Sequence, residues 1–314
     1  MKVIEHLSRA KNPLFSYEIV PPPRGRSVQD VIAIVKELVP YSPPWIDVTS
    51  HPAGAYYSEL PDGSIERRIY KKRPGTIGIC GIIQNRFKID TVVHLLNSGF
   101  TKEETEDALI ELSYLGVENV LALRGDGLNY NKKIDKSRRV NVYASDLVSQ
   151  INDMKKGIFL DEISGAAPLN FCVGVAGYPE KHFEAPNLAT DIEYLKKKVE
   201  CGADYITTQM FFDNKHYFAF VDKCRAAGIT VPIIPGMKVL KSASQLQTIP
   251  KNFYIDLPDE LVGSILADPK HANEIGIRWA VKQSEELLQK GAPCLHFYIM
   301  NDTTSVLEVV KKFH

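Results

Sequence analysis

Glu18 lies in an apolar segment, Phe15-Ser-Tyr-Glu-Ile-Val, which runs directly into three consecutive prolines. Partial burial among apolar neighbours disfavours the charged form of a carboxyl group, so it raises the pKa. A rise from about 4.3 to about 7 costs about 4 kcal/mol, and a carboxyl group with such a pKa is a general acid at neutral pH. An ion pair with Arg24 or Arg26 would lower the pKa instead, and these residues support both interpretations equally.

A cation and an anion flank a glycine in the segment Arg124-Gly125-Asp126, which follows a predicted strand. Glycine lacks a Cβ atom, so the backbone there can approach a bound molecule closely. The segment therefore predicts a ligand contact, with a solvated turn and a surface ion pair as the alternative. Gln209 also ends a predicted strand, where its amide could bind the edge of a heterocycle, although a structural amide is the commoner case.

Aromatic, imidazole and basic groups occur together in a third segment, which begins Tyr178-Pro-Glu-Lys-His182 and continues to Asp191 and Lys196-Lys-Lys198. This combination suits a phosphate-bearing ligand, because charge-assisted hydrogen bonds from basic groups are the usual means of holding phosphate. The lysines alone would fit a solvated helix face. Single histidines such as His51, His94 and His182 are more often structural than catalytic.

Eight short apolar runs rich in β-branched and aromatic residues predict strands. They are Phe15–Val20, Trp45–Thr49, Ile89–Leu96, Asn119–Leu123, Asn170–Val175, Tyr205–Gln209, Val231–Pro235 and Leu295–Ile299. Segments of helical period separate them, namely Val28–Leu38, Lys102–Leu115, Ala144–Lys156, Asp191–Cys201, Lys215–Ala227, Ala272–Gln289 and Thr304–Phe313. Alternating strands and helices predict a parallel sheet with right-handed crossovers, and eight such units predict a closed (β/α)8 TIM-type barrel.

The main alternative is a doubly wound open sheet, but the Gly-rich first turn typical of that fold, G-x-G-x-x-G, does not occur. Residues 76–84 fit a strand or a helix, and we predict a helix because a strand there would need a parallel neighbour without a crossover. No linker or charge block divides the chain. We therefore predict a single barrel domain over residues 1–314.

Polar residues cluster at or just beyond the predicted strand ends, and in a parallel barrel the carboxyl ends of the strands form the active site. The residues at those ends are Glu18, Thr49, His94, Arg124, Asp126, Tyr178, Gln209 and the Pro235-Gly236 turn. Because polar residues occur at most of the predicted strand ends, we predict that they form one shared site.

Basic and acidic residues both total 38, so the formal net charge is zero and no field of one sign favours nucleic acid or an anionic membrane. The sequence contains no leader-like N-terminus and no run of about 18 apolar residues, so we expect a cytoplasmic protein without a membrane span. Five widely spaced cysteines predict reduced thiols. The histidines lack metal-ligand spacing, so no metal site is predicted.

Taken together, these segments resemble the methylenetetrahydrofolate reductase family, a family of flavin-dependent (β/α)8 barrels, in the family's order over nearly the whole chain. The segments that carry the resemblance are Tyr17-Glu18-Ile-Val-Pro-Pro-Pro-Arg24, Asp47-Val-Thr49, His94, Ala122-Leu-Arg-Gly-Asp126, Tyr143-Ala-Ser-Asp146-Leu, Tyr178-Pro-Glu, His182, Gln209-Met-Phe-Phe-Asp213, Ile234-Pro-Gly236 and His296-Phe-Tyr298.

The resemblance implies tightly but non-covalently bound FAD, held without a Rossmann fingerprint, and NADH or NADPH as reductant. The positions that match the family's FAD contacts are Thr49, His94, Arg124, Gly125, Asp126, Tyr178, His182, Ala185, Asp191, Lys197 and Lys198. Glu18 matches the acid that opens the methylene bridge of the folate to an iminium, and Asp126 matches an acid that tunes flavin and folate. Glu18, Asp126, Gln209 and Gln245 match residues that contact the folate.

The implied reaction is the reduction of 5,10-methylenetetrahydrofolate to 5-methyltetrahydrofolate, which feeds methionine synthesis, with ping-pong kinetics and a homo-oligomeric protein. Departures from the family pattern include Asp302 where an Arg is frequent, Ser50-His-Pro-Ala-Gly54 after Thr49, and Tyr194 where an Asn is common. Two other functions stay open: a folate-binding methyltransferase barrel without flavin, and an FAD-binding partner subunit that has lost folate reduction. The length suggests the short microbial form without a regulatory extension.

Overall fold

Eight parallel strands form the centre of the fold in the computed structural model, which describes residues 1–51, 54–70, 73–125, 137–300 and 302–314. In chain order, the strands of the described part are β1 (Phe15–Ile19), β2 (Trp45–Val48), β3 (Gly54–Glu59), β4 (Ile65–Tyr70), β5 (Asp90–Leu96), β6 (Asn119–Leu123), β7 (Cys172–Gly177), β8 (Tyr205–Met210), β9 (Ile233–Met237) and β10 (Leu295–Met300). The barrel closes in the order β1-β10-β9-β8-β7-β6-β5-β2, whereas β3 and β4 form a separate antiparallel hairpin.

Helices connect the strands and cover the outside of the barrel. Those in the described residues are α1 (Val3–Arg9), α2 (Val28–Leu38), α3 (Thr76–Phe87), α4 (Lys102–Tyr114), α5 (Ala144–Met154), α6 (Leu188–Glu200), α7 (Asn214–Ala226), α8 (Gln245–Phe253), α9 (Asp259–Ala267), α10 (Ala272–Gln289) and α11 (Thr304–Val310). Local signals fix several of their ends. The hydroxyl of Thr101 accepts from the Glu104 backbone N–H, and the Glu104 carboxylate accepts in return from the Thr101 N–H, which is the predicted capping box of α4.

The predicted (β/α)8 barrel is confirmed, and the ends of all eight predicted strands lie within two residues of the observed ones. Residues 76–84 belong to a helix, α3, as predicted. The predictions missed the hairpin β3–β4 and the helices α1, α8 and α9. Prolines explain the last two omissions, because Pro250 lies inside α8 and Pro258 precedes α9, and proline interrupts the pattern by which a helix is recognised.

The amino-terminal half of the barrel interior is apolar and closed. Its buried residues are Val3, Trp45, Val92, Leu121, Cys172, Tyr205, Ile234 and Cys294. Val3 comes from α1, and its backbone N–H donates to the Asn119 side chain at 2.9 Å, which holds this helix over the end of the barrel. Access to the interior is therefore left to the opposite rim, where the strands end.

All five cysteines are free, and four of them are buried. Among the described residues, no helix has the length and apolarity needed to cross a membrane. The same part of the chain contains no group of three or more histidine, cysteine, aspartate or glutamate side chains arranged to hold a metal ion.

Two helical glycines give a test of the packing around the barrel. A Cβ atom added at Gly276 in α10 would overlap the Leu240 carbonyl oxygen, whereas one added at Gly263 in α9 would meet nothing within 4 Å. We expect Gly276→Ala to lower the free energy of unfolding by about 2 kcal/mol or more, because backbone must move. Gly263→Ala should raise it by about 0.5–1 kcal/mol through helix propensity. Urea unfolding measures both, and a change of the same sign in the two variants would contradict this packing.

Candidate active site

A layer of polar side chains lies above the apolar half of the barrel interior. In the strand register, Glu18 of β1 is paired with Asp47 of β2 on one side and with Tyr298 of β10 on the other. His94 of β5 and His296 of β10 join these residues, and both imidazoles are buried. Parallel pairing thus gathers at one level groups that are far apart in the chain.

The two carboxylates and the two imidazoles form one cluster. His94 Nε2 lies 3.5 Å from Glu18 Oε2 and 3.4 Å from Asp47 Oδ2. His296 Nδ1 is 2.8 Å from the Ser16 hydroxyl, and its Nε2 is 4.0 Å from Glu18 Oε2. The Glu18 side chain retains 12% of its accessible surface against 2% for Asp47, so Glu18 is the carboxylate that a ligand at the mouth can reach.

The surroundings of Glu18 differ from both predictions made from the sequence, a pKa raised by burial and an ion pair with Arg24 or Arg26. Burial alone would raise the pKa of Glu18, but the neighbouring His296 and the positive charges of His94 and Lys238 outweigh it, so the pKa lies below its ordinary value. The raised pKa expected of an acid catalyst is therefore absent from the protein without ligands. The predicted ion-pair partners, Arg24 and Arg26, are instead exposed.

His94 is held between two carboxylates. Burial lowers the pKa of His94, but the Asp47 carboxylate 3.4 Å away and the negative charge of Glu18 outweigh this effect, so the pKa is raised. The raised pKa favours the protonated imidazole of His94, whose Nε2 lies 3.5 Å from the Glu18 carboxylate. The resemblance implied a cofactor contact for His94, and the structure places His94 beside Glu18.

Lys238 is a site residue that the sequence did not reveal. It follows β9 directly, and its ammonium donates to the Tyr298 carbonyl oxygen at 2.8 Å. Burial and the charge of Lys241 lower the pKa of Lys238 to about 8, against the opposing effects of Glu18 and Asp302. A lone lysine carries no motif, and its position just beyond the Pro235-Gly236 pair was the available signal.

Gly236 makes room for the aromatic wall of the mouth. A Cβ atom there would lie 2.6 Å from the ring of Tyr298 and would overlap the Thr208 carbonyl oxygen. With glycine in place, the Tyr298 hydroxyl donates to that carbonyl at 2.6 Å, and the Gly236 N–H donates to the Thr208 hydroxyl at 3.0 Å. The predicted Pro235-Gly236 turn is wrong, because both residues lie within β9, and the close approach of β8, β9 and β10 explains why a glycine is needed there.

Basic groups line the rim beyond β6 and β7. Lys198 of α6 donates to the Ala176 carbonyl oxygen at 2.6 Å, and burial, opposed by Asp191, lowers the pKa of Lys198 to about 8. The Asp191 carboxylate accepts from the His182 backbone N–H at 2.9 Å. Arg124 forms an ion pair with Glu184 at 2.5 Å. These predicted residues do come together, and their cations could hold phosphate.

The other residues predicted to contact the cofactor here border this basic rim. Gly125 has a φ of 91°, a conformation that favours glycine. The rings of Tyr178 and His182 meet edge to face at 4.7 Å, and Ala185 is buried beside them in the same loop. Burial lowers the pKa of His182, so the neutral imidazole is favoured there. The neighbouring Lys197 is exposed on α6.

The remaining predicted residues are spread around the mouth. The Thr49 hydroxyl contacts His51 Nε2 at 2.9 Å, and Gln209 accepts from the Met210 N–H with its own side chain at 2.9 Å. Gln245 begins α8 and accepts from the Lys241 N–H at 2.6 Å. Asp126 lies outside the described residues.

The Lys238 charge gives a direct test of the acid site. Lys238→Met removes a cation that stabilises the Glu18 carboxylate, so we expect the pKa of Glu18 to rise. The measurement is a ¹³C NMR titration of protein labelled at the glutamate carboxyl carbon, with Glu18 assigned from the spectrum of Glu18→Gln. Lys238→Arg retains the charge and should titrate like the wild type. An unchanged Glu18 pKa in Lys238→Met would refute the assignment of Lys238 to this site.

Comparison with curated proteins finds relatives along the whole chain. Methylenetetrahydrofolate reductase 1 of Schizosaccharomyces pombe is 32% identical over 302 residues, which are 95% of this chain and 45% of that protein. The 5,10-methylenetetrahydrofolate reductase of Escherichia coli (strain K12) is 27% identical over 289 residues, or 91% of this chain and 86% of that protein. The chain thus spans about half the length of its fungal and plant relatives.

A solved structure and a family profile complete the comparison. A Clostridium thermocellum protein, described as binding two copies of 5-methyl-5,6,7,8-tetrahydrofolic acid, matches with a TM-score of 0.60 and 12% identity over 98% of this chain and 96% of that one. At this identity the match shows a shared fold alone. The family profile described as Methylenetetrahydrofolate reductase matches residues 2–314. The chain therefore belongs to the methylenetetrahydrofolate reductase family.

Proposed function

We propose that this protein reduces 5,10-methylenetetrahydrofolate to 5-methyltetrahydrofolate with FAD as cofactor and NADH or NADPH as reductant. The observation that carries the proposal is the acid site at the barrel mouth, where Glu18 lies against His94, His296 and Lys238, next to a rim of basic groups. Membership of the family supports the choice of reaction. The named reductases among its relatives include NADH and NADPH forms.

Glu18 is the proton donor in this proposal. Its proton goes to N10 of the folate, the electron pair of the bond between N10 and the methylene carbon returns to N10, and an iminium forms at N5. The carboxylate must first gain a proton, since its pKa is low in the free protein. A folate lying over the mouth would exclude water from Glu18 and favour its neutral form. In this proposal His94, which lies 3.5 Å away and has a raised pKa, passes a proton to Glu18.

The basic rim fits a phosphate-bearing cofactor such as FAD. Arg124 and Lys198 supply two cations, and the left-handed Gly125 turn lets a ligand approach the backbone closely. When bound, FAD supplies hydride-transfer chemistry between the pyridine nucleotide and the folate. The residues of this chain hold and orient it, and Asp126 tunes flavin and folate.

In this proposal the nucleotide and the folate use the same face of the flavin in turn, so the nucleotide leaves before the folate binds, in ping-pong order. Gln209 and Gln245 contact the folate in this arrangement. The Asp302–Lys241 ion pair, at 2.6 Å, favours a second candidate function. It places a carboxylate where the family often has an arginine, which would suit an FAD-binding partner subunit that does not reduce folate.

An absorbance spectrum of the purified protein tests the main proposal. We expect a flavin spectrum whose visible absorbance is lost on adding NADH or NADPH without oxygen, and returns when methylenetetrahydrofolate is added. Flavin absorbance that NADH removes but folate does not restore would favour the partner subunit. A protein that stays colourless after incubation with FAD would remove the proposal.

Glu18→Gln separates the two half-reactions. Because Glu18 acts only on the folate, reduction by NADH or NADPH should keep its rate, while the folate step should slow by about 10²- to 10⁴-fold, the usual contribution of a general acid. Stopped-flow absorbance measures each step. Equal losses in both steps, with FAD still bound, would show that the role of Glu18 is assigned wrongly.

A further inference from the structure

Four aromatic rings stand in series along the rim of the barrel. Tyr178 and His182 meet with ring centroids 4.7 Å apart, His182 and Phe183 are also 4.7 Å apart, and Phe183 and Tyr254 are 4.8 Å apart. The last two rings are nearly parallel, at 19°. The series leads from the basic rim outwards to the end of α8.

The outer two rings are open to solvent. Phe183 is 46% exposed and Tyr254 is 59% exposed, although each is a large apolar ring. They come from different connections, the loop after β7 and the carboxyl end of α8. The two stacked rings form a solvent-exposed aromatic pair, which we call the Phe183–Tyr254 platform.

Two unfavourable backbone conformations flank this platform. Lys181 has a φ of 117° and Tyr254 a φ of 55°, in a region where residues with side chains cost about 1 kcal/mol or more. The Lys181 ammonium compensates by donating to the carbonyls of His182, Phe183 and Ala185 at 3.0–3.4 Å. Such conformations cluster at ligand sites, where the surrounding structure must hold them.

A hydrogen bond ties the two connections together. The Glu180 carboxylate, three residues before Phe183, accepts from the backbone N–H of Asp256, two residues after Tyr254, at 2.6 Å. The platform is therefore held in place before any ligand arrives. Such preorganisation reduces the entropic cost of ordering the site when a ligand binds.

The charges beside the platform indicate what it would bind. Glu184, which follows Phe183, pairs with Arg124, and the His182 backbone pairs with Asp191 beside Lys198. A flat π surface next to two cations suits a heteroaromatic base joined to phosphates. Stacking on aromatic side chains is a general way of holding such bases.

We propose that the Phe183–Tyr254 platform binds the adenine base of a dinucleotide, whose diphosphate lies towards Arg124 and Lys198. The inference rests on the proposed function, because FAD and the pyridine nucleotides named there both carry an adenosine diphosphate group. Either could occupy the platform, and the experiment below distinguishes them. No folate is needed for this binding.

Phe183→Ala and Tyr254→Ala test the platform, with Tyr114→Ala as control, because Tyr114 is 91% exposed at the end of α4 and outside the series. ADP is the probe, and calorimetry measures its dissociation constant for each protein freed of cofactor. We expect each platform variant to weaken ADP binding about 5- to 150-fold, the usual effect of removing one stacking side chain. Thermal unfolding checks that all three variants remain folded.

FAD, FMN and NADH then identify the source of the adenine. If FAD supplies it, the variants weaken FAD but not FMN, which lacks adenine. If the reductant supplies it, FAD affinity stays unchanged and NADH affinity falls. The proposal is overturned if the wild type does not bind ADP, or if the platform variants bind ADP like Tyr114→Ala. Normal ADP binding without folate reduction would instead count against the proposed reaction alone.

Discussion

Closure of the parallel barrel is the constraint on which the rest of this structure depends. In a closed sheet each strand has two neighbours, so its backbone groups are paired on both sides and its register is fixed. Glu18 is thereby held between Asp47 and Tyr298, in strands from opposite ends of the chain. Because all strands point the same way, their carboxyl ends form one rim, and α1 closes the other end. The candidate active site lies at that rim.

In the polar layer under the rim, the cost of burying charged groups is offset by pairing them with opposite charges. Two buried carboxylates would be costly without compensation, since desolvation of each charge is large. His94, His296 and Lys238 supply it, and they do so strongly enough that Glu18 stays ionised in the free protein. In our proposal Glu18 therefore becomes protonated when a ligand binds and displaces water from the mouth. It is not protonated before binding.

Binding of anions at the rim likewise depends on nearby cations. The chain has no net charge, so no long-range field attracts a phosphate. The structure concentrates Arg124 and Lys198 beside the ends of β6 and β7, and the lowered pKa of Lys198 shows how far that cation has been taken out of water. Asp302 pairs with Lys241 at 2.6 Å, so its negative charge is compensated by a neighbouring cation.

The sequence alone determined the alternation of strands and helices, and with it the barrel, because the apolar period and the capping residues of each element are local. It also placed Glu18, Thr49, Arg124 and Tyr178 at strand ends. It missed α8 and α9, whose prolines break the helical pattern, and it left the charge of Glu18 undecided.

Only the tertiary structure decided which groups surround that carboxylate. The expected arginines, Arg24 and Arg26, are near in sequence but exposed, while His94, Lys238 and His296 reach it from three other strands or their ends. The pKa of Glu18 depends on these distances, and barrel closure sets them. The platform rings Phe183 and Tyr254 meet for the same reason, since neither carries a sequence signal for the other.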